Sequence, residues 1–375
     1  MSGFVPFELE EWQSNYEHEV RWNLADSGVH PVLLRELLDD QTSIDDLLAL
    51  DLHYPVVGGT ARLRELIAAM HPGADASHVL VTVGAAEANT ITAQALVRPG
   101  DHVVVLEPGY RQLWGTVQNL GATVDAFHLR EDWGWRPDLD ELRSVLRPDT
   151  RLVCVANPNN PVGTIMDPVE MDAIIDACRE IGAWLMVDEV YRGSERLTDD
   201  ETPTVWGRYE RIVTTGSLSK SYGMSGTRVG WLVAPTAELR DAAWRRHEYA
   251  TIATSNVSMH LAELALAEPR RSQLIARSRG FIREGWSVLE DWLTTTEGLV
   301  HAHPPAATAL AFVGYDLPIG SVEVAHHLRR NGVLVAPGTA FGVEHHLRIT
   351  HGLRRDLMED ALAVIGATLS GLIPR

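Results

Sequence analysis

The sequence predicts an α/β protein with a large domain on a mostly parallel sheet and a smaller α+β domain. Three observations predict it. Between residues 60 and 235, short β-branched runs alternate with helical runs, the pattern of strands joined by crossover helices. Beyond residue 237 the chain turns helical, then mixes short strands with helices. The length of 375 residues suits two domains, one larger than the other. The expected division is an N-terminal segment 1–50 packing on the smaller domain, a large domain 51–250, and a linking helix with the C-terminal domain 251–375.

Each element has a local reason. Residues 1–50 are polar and helix-prone, with LLRELL and DDLLAL as apolar stretches. TARLRELIAAM (60–70) repeats apolar positions at helical spacing, with Thr60 as its cap. HVLVTVG (78–84) is a strand ending in glycine, and AAEANTITAQALV (85–97) a helix. After the RPGD turn, HVVVLEPG (102–109), TVDAFHL, RLVCVAN (151–157) and AWLMVDEV (183–190) read as strands. LDELRSVL and VEMDAIIDACREIG are helices between them, and RIVTTG and RVGWLVA complete the series. A long helical stretch follows at 237–295, and then TALAFVGY, GVLVAPG and HHLRIT as short strands.

A net charge of −19 argues against a basic face for nucleic acid. The two cysteines, Cys154 and Cys178, make neither a metal cluster nor a disulfide framework, and Cys154 should be buried and inert. The sixteen histidines are scattered, and the pairs His326–His327 and His345–His346 do not share a helical face, so no metal is expected. MSGFVPFELEEW lacks a signal-peptide pattern, and no apolar run is long enough for a membrane span. A cytoplasmic protein without membrane attachment is the expectation.

Four stretches carry chemistry. In VTVGAAEANT, Gly84 ends a strand, and Ala85 and Ala86 open a helix whose free N–H groups can hold a phosphate; a tight strand-to-helix join is the alternative. NPNNPVG (157–163) is a rigid loop that can present the Asn160 amide, or simply a well-made turn. In VDEVYRG, Asp188 ends an apolar strand, where a carboxylate needs a partner such as a protonated ring nitrogen, a helix N-terminus or an arginine. In SLSKSYGMSGTRVGW (217–231), Lys220 stands among serines and glycines just past a strand end, where open α/β sheets bind cofactors.

Together these motifs resemble the fold-type I pyridoxal-phosphate enzymes, aminotransferase class I/II branch, over nearly the whole chain. The resemblance implies a seven-stranded, mostly parallel sheet and pyridoxal 5′-phosphate as cofactor. It implies that Lys220 holds the cofactor aldehyde covalently, with Asp188 keeping the ring nitrogen protonated. Asn160 and Tyr191 would contact the ring oxygen, and Tyr110, in EPGY, would stack on the ring. Gly84, Ala85, Ala86, Ser217, Ser219 and Arg228 would surround the phosphate. Tyr54, in HYPVVGG, would reach a neighbouring subunit's phosphate, which implies a homodimer. Arg348, in HLRIT, would grip a substrate carboxylate, a task suited to its planar fork.

For the reaction, LEEW and SGVH in the first 30 residues resemble capreomycidine synthase-like enzymes of antibiotic biosynthesis. These eliminate the β-hydroxyl of hydroxyarginine and close a ring. The alternative is an ordinary amino acid aminotransferase with a 2-oxo acid acceptor. Gly28 would contact substrate and His30 would lie near its β-hydroxyl. Trp22 is a candidate pocket wall, and Glu10, Glu11, Glu17, Asp26 and Glu195 are candidate partners for a guanidinium. Regulators of this fold that bind DNA carry an extra winged helix, for which 50 helix-prone residues are too few.

Overall fold

The computed structural model describes residues 3–373. Among them the strands are β1 (Trp22–Asn23), β2 (Val79–Val83), β3 (His102–Glu107), β4 (Thr123–Arg130), β5 (Arg136–Pro137), β6 (Thr150–Ala156) and β7 (Trp184–Asp188). Then come β8 (Ile212–Ser217), β9 (Val229–Val233), β10 (Val300–Ala302), β11 (Leu310–Tyr315), β12 (Val333–Leu334), β13 (Ala336–Pro337) and β14 (His346–Thr350).

The large sheet has the order β2-β9-β8-β7-β6-β3-β4-β5. Its centre, from β8 to β4, is parallel. β9 runs antiparallel to both β8 and β2. The expected seven strands are the long ones; β5, two residues long, adds antiparallel to the far edge. Two reversals return β2 to the direction of β8. The carboxyl ends of β2, β3, β6, β7 and β8 therefore open on one edge of the sheet, where ligands of such sheets bind.

Alternation within the strands sends side chains to both faces. Val104, Leu106, Val153, Leu185 and Val187 pack with Met171, Ile174 and Ile175 of the helix Pro168–Ile181. Val103, Val105, Leu152, Met186 and Val213 pack with Ile91, Ala93 and Leu96 of the helix Gly84–Leu96. Each fully buried aliphatic side chain contributes roughly 1.5–3 kcal/mol, so strands buried on both faces hold the edge rigidly. Cys154 and Cys178 lie in this core, as expected for Cys154, and burial raises both thiol pKa values, that of Cys178 to about 12.

Capping follows the sequence where its signals are local. Thr60 Oγ1 accepts from the Leu63 N–H at 3.1 Å and starts the helix Ala61–Ala68. The long helical stretch expected at 237–295 consists of three helices: Ala237–Ala250, Asn256–Leu266 and Arg270–Thr294. The first break holds Ile252 in a left-handed conformation, and the last helix starts after Pro269, which has no N–H. A second sheet, β10-β11-β14-β13, is antiparallel throughout. β1 pairs in parallel with β12, tying the N-terminal segment to the C-terminal part. Among the described residues no helix is long and apolar enough to cross a membrane.

Gly230 in β9 fixes where the Gly84 helix begins. A Cβ there would lie 2.3 Å from the Gly84 carbonyl carbon and 2.4 Å from the Ala85 nitrogen. Both are backbone atoms and cannot swing aside. Gly230→Ala is expected to lower stability by about 1–3 kcal/mol, read as a lower denaturant midpoint. An unchanged midpoint would show that the first turn is not clamped by β9.

Candidate active site

The strand ends surround a cavity of about 700 Å³. That is ample for a cofactor with a small amino acid. β7 delivers Asp188, and the turn after it delivers Tyr191. β8 ends at Ser217 and continues into Ser219 and Lys220. The loop after β6 supplies Asn160, the loop after β3 supplies Tyr110, and the helix after β2 supplies Ala85 and Ala86. Arg228 enters just before β9. Ten residues named from the sequence thus meet on one wall.

Asp188 is 8% exposed. Its carboxylate accepts from Asn89 Nδ2 and from the Val190 N–H, each at 3.0 Å. Burial raises its pKa, opposed by those two donors and by the charge of Lys220. Among the described residues no cationic side chain hydrogen-bonds it. Lys220 Nζ points into the same cavity and donates to Ser27 Oγ at 2.7 Å. Burial lowers the lysine pKa, and Asp26 partly offsets this. Tyr110 donates to Glu10 at 2.7 Å and meets Phe7 edge to face. Burial and the Glu10 charge drive its phenol well above the ordinary range. Tyr191 donates to the Ser27 carbonyl at 3.3 Å.

One end of the cavity is built for an anion. The helix Gly84–Leu96 points its free N–H groups there. Gly84 has φ +76°, and a Cβ on it would sit 2.3 Å from the Arg228 guanidinium. Only glycine lets that cation close over the helix start. Ser217 Oγ accepts from the Ser219 N–H at 3.2 Å. Anion cradle, half-buried lysine and buried carboxylate without a cation fit a molecule with a phosphate, an aldehyde and a basic ring nitrogen. Pyridoxal 5′-phosphate is that molecule.

Other predicted residues stand behind the lining or away from it. Arg348 is fully buried, donates to Asn160 Oδ1 at 3.1 Å and to the Ala25 carbonyl, and lies over the Phe341 ring. Its Nε has no partner. Gly28 lies behind Ser27, its carbonyl accepting from Thr350 at 3.0 Å. The His30 ring packs on Phe281, outside the cavity lining. Tyr54 is 83% exposed and does not reach its own chain's cavity. Trp22 packs under Arg21. Of the acids, Glu10, Glu17 and Asp26 line the cavity. Glu11 does not, and Glu195 is buried against Arg279 and Thr202.

Sequence reasoning missed Asn89 and Ser27. Asn89 follows Glu87 on the cradle helix, and its amide joins Asp188 to Thr215, whose hydroxyl donates to Asn89 Oδ1 at 2.8 Å. No local signal marks Asn89, because Glu87, Thr90, Thr92 and Gln94 of the same helix are polar too.

Sheet order, site position and donor set together define a pyridoxal-phosphate-dependent enzyme of fold type I. The chain belongs to the aminotransferase class I and II family, whose model matches residues 51–365. It is 33% identical over 372 residues to the capreomycidine synthase of Streptomyces vinaceus, covering 96% of this chain and 93% of that one. It is 32% identical over 348 residues to the arginine–pyruvate transaminase AruH of Pseudomonas aeruginosa, covering 88% and 86%. A pyridoxal-phosphate-dependent aminotransferase from Streptococcus suis superposes with TM-score 0.92 at 28% identity, over all of both chains.

Glu87 locks the cradle helix from outside the cavity. Its carboxylate accepts from the Val83 N–H at 2.6 Å, from Thr251 at 2.7 Å and from His247 Nδ1 at 2.9 Å. Burial would raise its pKa, but these donors outweigh it and hold the carboxyl below the ordinary glutamate range. A depressed carboxylate stabilises the fold above its unfolded pKa, and the contribution fades as pH falls through the folded value. Glu87→Gln should therefore unfold earlier than wild type in denaturant near neutrality, with the two midpoints converging in acid. A gap that stays constant with pH would assign the loss to something other than charge.

Proposed function

We propose that the protein is an aminotransferase for amino acids with a cationic, guanidino-type side chain, using a 2-oxo acid as acceptor. One observation carries this reading: Glu10, Glu17 and Asp26 face the cavity that also holds Lys220. Carboxylates suit a guanidinium, which they bind by paired, charge-assisted hydrogen bonds. The likeness to a relative named for arginine and pyruvate supports it.

Bound pyridoxal phosphate supplies an aldehyde for the substrate amine and a ring that draws electrons from Cα. In the proposal Lys220 holds the cofactor and then moves the proton at Cα. Its burial-lowered pKa suits a base that must shed its own proton. Asp188 faces the ring N–H, a cationic partner that offsets the cost of its burial. Asn160 and Tyr191 orient the ring oxygen, and Tyr110 covers the ring face. Ala85, Ala86, Ser217, Ser219 and Arg228 hold the phosphate, with Gly84 giving Arg228 its room. Arg348, behind Asn160, is the residue for the substrate carboxylate, beside the Gly28 backbone. His30 is left out, because its ring packs on Phe281. We propose a symmetric dimer as well, in which Tyr54 of the partner subunit completes the phosphate site. The division into 1–50, 51–250 and 251–375 is kept as the domain proposal.

A second reading keeps the same residues but ends in elimination and ring closure on 3-hydroxyarginine. The 33% identity to a capreomycidine synthase over 96% of this chain favours it. Here Lys220 would take the Cα proton, the β-hydroxyl would leave as water, and a guanidino nitrogen would close on Cβ intramolecularly, giving up a proton as Cα regains one.

Borohydride reduction of the purified enzyme should fix the cofactor to Lys220, identified by peptide mass. Lys220→Ala should fold and not turn over; an adduct on another lysine removes Lys220 from its role. Mass spectrometry separates the two reactions. With arginine and pyruvate or 2-oxoglutarate, the aminotransferase consumes the oxo acid and yields its amino acid. With 3-hydroxyarginine and no oxo acid, the cyclase yields a product lighter by one water with the amino group retained. Dehydrative cyclisation without oxo-acid consumption would overturn the transaminase proposal.

A further inference from the structure

The C-terminal sheet carries a side-chain cluster that the proposed reaction does not use. The strand register sets His301 of β10 opposite Gly314 of β11, and Gly314 opposite His346 of β14. The three form one row across the sheet and share a face. Gly314 offers no side chain, and His301 fills its space: a Cβ there would lie 2.3 Å from His301 Nε2. The two imidazoles meet over the glycine with ring centres 6.3 Å apart, although their strands are not paired. Glu131, in the short turn of helix after β4, reaches the same point. Its Oε1 lies 3.1 Å from His346 Nε2 and 3.8 Å from His301 Nε2. One ligand atom from each residue lies within 4.8 Å of the other two.

A second contact sets the chemistry of His346. Its Nδ1 is 3.0 Å from the Glu344 carbonyl oxygen. A carbonyl only accepts, so Nδ1 carries a proton, and Nε2 is the atom aimed at the Glu131 carboxylate. Two acceptors in contact need either a second ring proton or a cation between them. The ring is also held in place, stacked on Phe312 at 4.7 Å with the Trp135 edge at 5.8 Å. Metal-bound histidines commonly have their second N–H held by a carbonyl in this way.

We propose that Glu131, His301 and His346 bind a divalent metal ion of the zinc type, with water as fourth ligand. Imidazole with carboxylate suits that ion. Tetrahedral zinc holds its ligand atoms roughly 3.3 Å apart, and the two distances to Glu131 need only small adjustments. The ion would tie the segment after β4 to the smaller sheet and so stabilise the folded chain by mass action.

The test uses the untagged holoenzyme, stripped of metal by chelator dialysis and titrated with zinc chloride in a calorimeter. Thermal unfolding is followed with and without zinc. The expected result is one zinc per chain and a higher Tm with zinc. His301 is 58% exposed at its side chain, so His301→Ala should fold. It should bind zinc at least about tenfold more weakly and lose the Tm rise. Gly314→Ala should do the same by displacing His301 while keeping all three ligands. Zinc bound with undiminished strength by His301→Ala overturns the proposal. So does a wild type that binds none, which would make the cluster a plain Glu131–His346 ion pair.

Discussion

A carboxylate buried at the end of a central strand is the constraint on which the site depends. Asp188 lies where β7 leaves the sheet, surrounded by apolar strands, and the protein offers it neutral amide donors. Burying such a group is costly without close hydrogen bonds. The cost is met by Asn89, which must come from the Gly84 helix and is itself held by Thr215 of β8. That requirement fixes the rotation of the helix about its axis. The rotation then decides what else the helix presents: free N–H groups toward the anion end, and Glu87 toward His247. Gly230 sets the helix's axial position by backbone contact. A single helix thus serves the cradle, the carboxylate and its own anchorage at once.

Much of this was legible in the sequence, for identifiable reasons. Strand runs such as VVVL and LVCV are apolar on both faces, and only a buried parallel sheet calls for that. Strand ends marked by Gly84, Asp188 and Lys220 placed the site, because the end of a strand is a position along the chain. What could not be read depends on geometry between distant segments. Asn89 matters through Thr215, over a hundred residues away. Ser27 meets Lys220, and Glu10 meets Tyr110, because the N-terminal segment folds back over the cavity. Arg348 was legible as a residue but not in its depth behind Asn160. His301 and His346 looked scattered in the sequence. Antiparallel register brings them together, and a glycine between them leaves the space. The helical stretch expected at 237–295 is helical, but its two breaks were not legible, because local turns interrupt it there.

The acidic wall has an origin of its own. Glu10, Glu17 and Asp26 all precede residue 51, where the family match begins, while the residues proposed to hold the cofactor follow it. The two halves of the cavity are thus written in separate stretches of chain. The N-terminal stretch is tied to the rest by β1, by backbone hydrogen bonds from Leu24, His30 and Val32, and by side-chain contacts such as Tyr110 to Glu10 and Lys220 to Ser27. A change at Glu17 alters the cavity's charge without touching Asp188 or Asn89, whereas changes at Asp26 or Ser27 also bear on Lys220. The charge that faces a ligand and the residues proposed to hold the cofactor can therefore be varied separately, at Glu17 on one side of residue 51 and at the strand ends on the other.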